Sequence, residues 1–275
     1  MNGYLYIINR PKFKNEALIS VRSLRRFNTD KIAVVCPEKM IDNDLKSHFD
    51  IIIVNDDIEN YTYLSKVLGL KHTPFDKTLF LDSDTFITDD LSALFSILDI
   101  ADFATTIEPT LHTTNRINNI RYQNIIPEFN SGVILYKNNK VMKKVIDDWF
   151  KICTSNNIIN DMPGLREAVL DNFDSLSFTI LPNEYNAHGF KTFLLLYQKV
   201  IIIHERLGYK WNVRTPHFLG FEKMQKFEKM INRKVYKRLY IPYIGIIPYN
   251  WSLLNILLYF KRKLGFKRIS KSYSK

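Results

Sequence analysis

The first hundred residues of this 275-residue chain predict an α/β fold, a largely parallel sheet with flanking helices. Two observations carry that reading. Short apolar runs of strand length alternate with stretches of helical periodicity, and the segments between them are too long for hairpins. A third bounds it: with 46% hydrophobic and 24% charged residues, composition is ordinary globular, which excludes intrinsic disorder and collagen-like repetition.

Residues 4–8 read as the first strand, 16–27 as a helix with Ala17, Val21 and Leu24 on one face, and 32–35 as the second strand. A short helix over 41–49, a third strand over 51–54, a helix over 63–70 and a fourth strand over 78–81 follow. That order is Rossmann-like. Asn9, Arg10 and Pro11 stand where a G-x-G-x-x-G turn would follow the first strand, which disfavours nicotinamide or flavin binding. Asp89 and Asp90 start a helix running to Leu98, and 103–107 forms a strand. The polar stretch 108–128 has no clear periodicity and reads as a long surface loop. Beyond it, 131–136 is a strand, and Asn138 caps a helix with Val141, Val145, Trp149 and Ile152 on one face. A helix over 165–170, a strand over 178–181 and an apolar run over 200–203 complete the body, expected to span 1–220.

Net charge is +11, and its placement matters more than its size. Residues 221–275 carry 14 Lys and Arg against Glu222 and Glu228, a net +12 that leaves the body at −1. Within this tail, 239–260 lacks any charged residue but contains Pro242, Gly245, Pro248 and the aromatics Tyr240, Tyr243, Tyr249, Trp251 and Tyr259. Aromatics and flanking bases predict a segment lying in the interface of an anionic membrane rather than spanning it. Packing of the tail on protein is the competing reading, and nucleic acid is not expected because no recognised motif accompanies the charge. Two cysteines, Cys36 and Cys153, exclude a disulfide framework, and the N-terminus lacks the order of a secretory signal. The expected location is the cytoplasm, at the inner face of the membrane.

Chemistry concentrates at two strand ends. In Leu79-Phe80-Leu81-Asp82-Ser83-Asp84-Thr85, an apolar strand ends in two carboxylates one residue apart, at the sheet edge where such folds bind ligands. The pair is either a solvated acidic turn or a site for a hard divalent ion on a diphosphate. Far downstream, Ile201-Ile202-Ile203-His204 ends another apolar run in a histidine, a hydrogen-bonded structural residue or a ligand. Asp82, Asp84 and His204 together would make an O,O,N set for Mn²⁺ or Mg²⁺ with positions left for phosphate oxygens.

Residues 74–88, around Asp82-Ser83-Asp84, resemble the D-x-D segment of GT-A nucleotide-sugar glycosyltransferases, in particular the retaining galactosyltransferase and glycogenin-like family eight. Phe129-Asn130-Ser131-Gly132-Val133 resembles that family's F-N-S-G-V strand, and Leu181-Pro182-Asn183-Glu184-Tyr185-Asn186 its L-P-x-x-[YWF]-N element. His204 to Trp211 is similar to H-x-x-G-x-x-K-P-W, with Gly208 displaced by one and the proline before Trp211 missing. The resemblance implies a GT-A mixed sheet and transfer from a UDP-sugar to a glycan or lipid-linked acceptor, with Mn²⁺ or Mg²⁺ on Asp82, Asp84 and His204. It further implies Ser83 near the ribose, Lys210 on the leaving diphosphate, and Lys66 and Lys77 as basic positions near the donor. Ile8 and Asn9 would lie at the base, and Asn130, Ser131, Asn186 and Gly208 along the donor. Asp161 would meet sugar hydroxyls, and Met162 follows it where the family commonly has glutamine. Lys66 and Lys210 have a plainer reading as surface lysines, and Asn130-Ser131 as a polar strand start. Two other functions compete. A phosphohydrolase would want D-x-D-x-[TV], but Phe86 fills the last position. A membrane-bound sugar-nucleotide or glycan-binding protein without turnover fits the Met162 departure.

Overall fold

The computed structural model describes residues 1–61, 63–108, 126–158, 160–188, 198–204, 220–232, 238–241 and 245–248. Strand β1 (Asn2–Ile7) is followed by α1 (Pro11–Leu24), whose Pro11 occupies the first turn, where a missing N–H costs nothing. β2 (Lys31–Cys36), α2 (Asn43–His48), β3 (Ile51–Val54), α3 (Leu64–Leu70) and β4 (Lys77–Leu81) continue in the expected order. The Asp42 carboxylate caps α2 by accepting from the Leu45 N–H at 3.1 Å.

The main sheet has seven strands in the order β3-β2-β1-β4-β7-β6-β8, with β6 at Phe103–Ile107, β7 at Phe129–Lys137 and β8 at Phe178–Ile180. Its first four strands are parallel, β7 runs antiparallel to β4 and β6, and β8 is parallel to β6. The sheet is therefore mixed; the parallel reading holds for its first half. Because β2 and β3 lie on one side of β1 and β4 on the other, winding reverses between β1 and β4, and a crevice opens at their carboxyl ends.

Both faces of the sheet are covered, so successive residues enter opposite cores. Tyr4, Tyr6, Leu79 and Leu81 pack with Ala17, Val21 and Leu24 of α1. Leu5, Phe80 and Ile134 face the other way, onto Val145 and Trp149 of α4 (Lys140–Ser155) and Leu165 of α5 (Met162–Asp171). The cap of α4 is Asn139, whose side chain accepts from the Met142 N–H at 2.9 Å; it is not Asn138. The helix expected from Asp89 is a 3-10 helix over Ser92–Asp99, because Asp90 turns back on the Ser92 N–H and hydroxyl and starts a tighter turn.

A second sheet of three short strands escaped the sequence reading. β5 (Thr85–Ile87) pairs antiparallel with β10 (Ile202–His204), which pairs parallel with β9 (Ala187–His188). Behind it lies α6 (Phe221–Asn232), burying Met224, Phe227 and Ile231 against Phe86, Ala187, Val200 and Ile203. Both terminal guanidinium nitrogens of Arg26, just past the end of α1, donate to the Glu228 carboxylate at 2.9 Å. The first helix of the segment set apart as a tail thus packs on the body. Beyond it, β11 (Arg238–Ile241) and β12 (Gly245–Pro248) form an antiparallel pair, so part of the uncharged stretch is strand. Among the described residues no helix is long and apolar enough to cross a membrane. The rest of the tail and most of the expected long loop, residues 109–125, lie outside the described residues.

Candidate metal and donor site

A cavity of about 700 Å³ occupies the crevice beyond β1 and β4. Its centre is the turn that follows β4. The Asp82 N–H donates to the Gly132 carbonyl at 2.8 Å, and the Asp82 carbonyl accepts from the Thr85 N–H at 3.2 Å and hydroxyl at 2.8 Å. Ser83 and Asp84 are left as the central residues of a tight turn. The β5–β10 register sets His204 opposite Thr85, beside that turn. His204 Nε2 then lies 3.3 Å from Asp84 Oδ1 and 3.6 Å from Asp82 Oδ2. One ligand atom from each of the three falls within 4.8 Å of the others, the spacing a single divalent ion requires.

The orientation of that imidazole is fixed by a chain of side-chain amides. His204 Nδ1 lies 2.8 Å from Asn186 Oδ1. Asn186 Nδ2 donates to Asn130 Oδ1 at 2.8 Å and to Thr106 Oγ1 at 3.0 Å, so its oxygen is the acceptor and His204 Nδ1 carries the proton. Asn130 Nδ2 in turn donates to Glu108 at 2.7 Å. Nε2 is thereby the nitrogen that faces the carboxylates, and it is the atom that would give up its proton to a metal ion. Burial lowers the His204 pKa, but Asp84 and Asp82 outweigh burial and hold it above its ordinary value. Two hard oxygens and one oriented imidazole, all substantially buried, fit a divalent cation.

Lys66 of α3 bridges Asp82 and Asp161. Its Nζ lies 3.2 Å from Asp82 Oδ2, 3.0 Å from Ser131 Oγ and 3.4 Å from Asp161 Oδ2. Burial disfavours this ammonium, yet Asp161 and Asp82 raise its pKa and keep it charged. Ser83, Asn130, Ser131, Asp161 and Asn9 also line the cavity. Asn9 is anchored by donating to the Tyr61 carbonyl at 2.8 Å.

Three assignments change. Lys77 sits at the start of β4, the end away from Asp82, where its ammonium pairs with Asp99 and donates to the Phe95 carbonyl at 3.3 Å. It belongs to the opposite edge of the sheet. Ile8 is fully buried in the core, and its neighbours Ile7 and Asn9 line the cavity instead, because alternate residues leave an extended chain on opposite faces. Asn186 does not line the cavity; it positions His204. Gly208, Lys210 and Trp211 lie outside the described residues.

The sequence reading also missed residues. His188 lines the cavity and stacks on His204, ring centroids 4.5 Å apart, with its Nδ1 2.8 Å from the His204 carbonyl. Its signal was the two-residue step from Asn186, which puts both on one side of an extended segment. Arg10, Lys12 and Phe13 at the start of α1, Tyr63 just before α3, and Met162 next to Asp161 also line it.

Behind Asn130, Glu108 and Glu128 are both buried and joined through the Glu108 N–H and Glu128 carbonyl at 2.8 Å. Burial pushes the Glu128 carboxyl from 4.5 up to about 7; Arg166 opposes this, and Glu108 and Asp161 add to it. Folding therefore takes up a proton between these two values, and the stability this group contributes declines as pH rises through that window. Glu128→Gln, which stays neutral, should gain about 1–3 kcal/mol over the wild type at pH 8 and little at pH 4.5. Urea unfolding at the two pH values measures this; an equal difference at both would remove the titration from the account.

No protein-family model matches the chain, and the comparison with curated proteins found no match. Its fold is that of solved glycosyltransferases. The galactosyltransferase LgtC in complex with donor and acceptor sugar analogues is 14% identical, with a TM-score of 0.53 over 84% of this chain and 96% of its own. GlyE of Streptococcus pneumoniae TIGR4 is 17% identical, with a TM-score of 0.55 over 82% of this chain, and the bifunctional glycosyltransferase WbbM is 14% identical, also at 0.55, over 73%. This chain spans only 45% of WbbM and 59% of GlyE. The architecture is accordingly GT-A-like.

Proposed function

We propose that this protein is a metal-dependent glycosyltransferase that moves a sugar from a UDP-sugar to a glycan or lipid-linked acceptor, with retention, in cell-surface polysaccharide or lipopolysaccharide synthesis. The observation that carries the reading is the meeting of Asp82, Asp84 and His204 at the switch point of the sheet, with Lys66 and Asp161 in the same cavity. LgtC, of the same fold, holds donor and acceptor sugar analogues.

Mn²⁺ or Mg²⁺ on those three residues would neutralise charge on the donor diphosphate. The chain's own residues supply the rest. Lys66 places a fixed positive charge beside the metal set, where negative charge grows as the bond from the anomeric carbon to the phosphate oxygen breaks. Asp161, held by Lys66 and by the Trp149 indole N–H on its carbonyl at 2.8 Å, presents a buried acceptor for donor-sugar hydroxyls. The acceptor hydroxyl attacks the anomeric carbon from the face the phosphate leaves, and its proton passes to the departing diphosphate. Lys210 is assigned to that diphosphate as well. The basic, aromatic tail would hold the protein on the anionic inner face of the cytoplasmic membrane, close to a lipid-linked acceptor.

The test is UDP release from a panel of UDP-sugars, with and without Mn²⁺. Metal-dependent release from one donor is expected and identifies the sugar. Met162, lining the cavity beside Asp161, favours the second reading, a sugar-nucleotide-binding protein without turnover. Metal-dependent UDP binding with no release from any donor, acceptor present, would select it; absence of UDP binding would sink both.

A further inference from the structure

His204 closes a strand of three residues, and its neighbours are as short, β5 with three residues and β9 with two. Ladders of that length supply few hydrogen bonds, so the position of β10 depends on what packs against it. Successive residues of the strand enter different clusters. Ile202 lies in the main core with Leu79, Leu81 and Leu91, whereas Ile203 and the preceding Val200 pack with Met224, Phe227 and Ile231 of α6. The brace on that second side therefore comes from the segment that charge alone set apart as a tail.

The last residue of α6 adds a polar contact of another kind. Asn232 Oδ1 accepts from the Val200 N–H at 3.0 Å, and Asn232 Nδ2 donates to the Val200 carbonyl at 3.1 Å. One side-chain amide thus pairs with both backbone groups of one residue, as a neighbouring strand would. Val200 is fully buried, and leaving its N–H without that partner would cost about 1–3 kcal/mol. Alanine offers neither group, and glutamine places its amide one methylene further out. From Val200 the chain runs directly to the site. The Ile201 N–H donates to the Glu184 carbonyl at 2.8 Å, the Thr88 N–H donates to the Ile201 carbonyl at 2.9 Å, and His204 follows three residues later. Among the described residues, none of α6 lines the cavity, so any effect of this helix on the ligand set passes through β10.

We propose that Asn232 is a positioning residue for His204: by tying Val200 to the end of α6 it holds β10 in register on β5, and with it the imidazole against Asp82 and Asp84. This rests on the cation reading of the site. The measurement is Mn²⁺ binding to the full chain, by calorimetry and by the nitrogen coupling that an imidazole ligand gives in pulsed electron spin resonance of bound Mn²⁺. The wild type should bind Mn²⁺ and show the coupling. Asn232→Ala should bind about tenfold more weakly, with the coupling reduced at saturating Mn²⁺. Asn232→Asp keeps an acceptor for the Val200 N–H; it should fall between the two, and it carries the test if the alanine variant does not fold. Leu98→Ala opens a cavity in the main core beside Lys77, at the end of β4 away from Asp82. It should lower the melting temperature at least as much as Asn232→Ala and leave Mn²⁺ affinity within about twofold of the wild type. Unchanged affinity and coupling in the Asn232 variants, or an equal loss in Leu98→Ala, would overturn the proposal and leave the cation site standing. Absence of Mn²⁺ binding, or of nitrogen coupling, in the wild type would overturn the cation reading as well.

Discussion

Replacing Asp84 by alanine should lower the proposed metal-dependent UDP release by about 10³-fold, which is some 4 kcal/mol of transition-state stabilisation. Asp84 is buried, and its Oδ1 makes the shorter of the two carboxylate approaches to His204, at 3.3 Å against 3.6 Å. Its loss leaves one carboxylate and one imidazole, too few to hold a hard cation against water. The fold should survive, because the turn is closed by the Asp82 carbonyl and Thr85 and not by the Asp84 side chain. Without metal, the melting temperature of Asp84→Ala should lie within a few degrees of the wild type. Equal rates for the two proteins at saturating Mn²⁺ would remove the site from the chemistry.

Gly132→Ala is the second large effect, and it adds a methyl group rather than removing a ligand. A Cβ at position 132 would stand 2.1 Å from His204 Cε1, 2.7 Å from His204 Nδ1 and 3.0 Å from Asp82 Oδ2. The imidazole cannot swing aside cheaply, since Asn186 holds one edge and His188 covers a face. Either the ring leaves its hydrogen bond or β7 shifts against β4, and both misplace a ligand by a distance that catalysis does not tolerate. Turnover should fall at least about 100-fold and Mn²⁺ affinity should drop with it, while overpacking costs about 1–3 kcal/mol of stability. Wild-type Mn²⁺ affinity in this variant would show that the ring has room to move.

How far the sequence reached depends on whether a feature was local. The βα alternation, the acidic turn after β4 and the apolar run before His204 are written in consecutive residues, and the structure has each. The mixed half of the sheet was less legible, because Ser131 to Tyr136 reads as an apolar strand whichever direction it runs. β5 and β9 were missed since three and two residues carry no periodicity; they exist only because β10 pairs with both. Asn130 and Asn186 stood out in the sequence as motif positions. Their work, aligning a histidine through two amide hydrogen bonds, needs a tertiary contact that no spacing reveals. Lys66 and Lys77 looked alike as lysines upstream of the acidic pair, and only the direction of β4 separates them, one beside Asp82 and one at the other end of the strand.

The pairing of β5 with β10 also has a consequence for the order in which the protein is made. Asp84 and His204 are joined across 120 residues of chain, through the pairs Thr85–His204, Phe86–Ile203 and Ile87–Ile202. At about 5–20 residues per second, the acidic turn leaves the ribosome roughly 6–24 s before the imidazole that completes its ligand set. During that interval the parallel half of the sheet has all its strands, while the turn lacks its histidine. On the proposed reading, a nascent chain would therefore neither complete the cation site nor spend donor until residue 204 has emerged and β10 has docked.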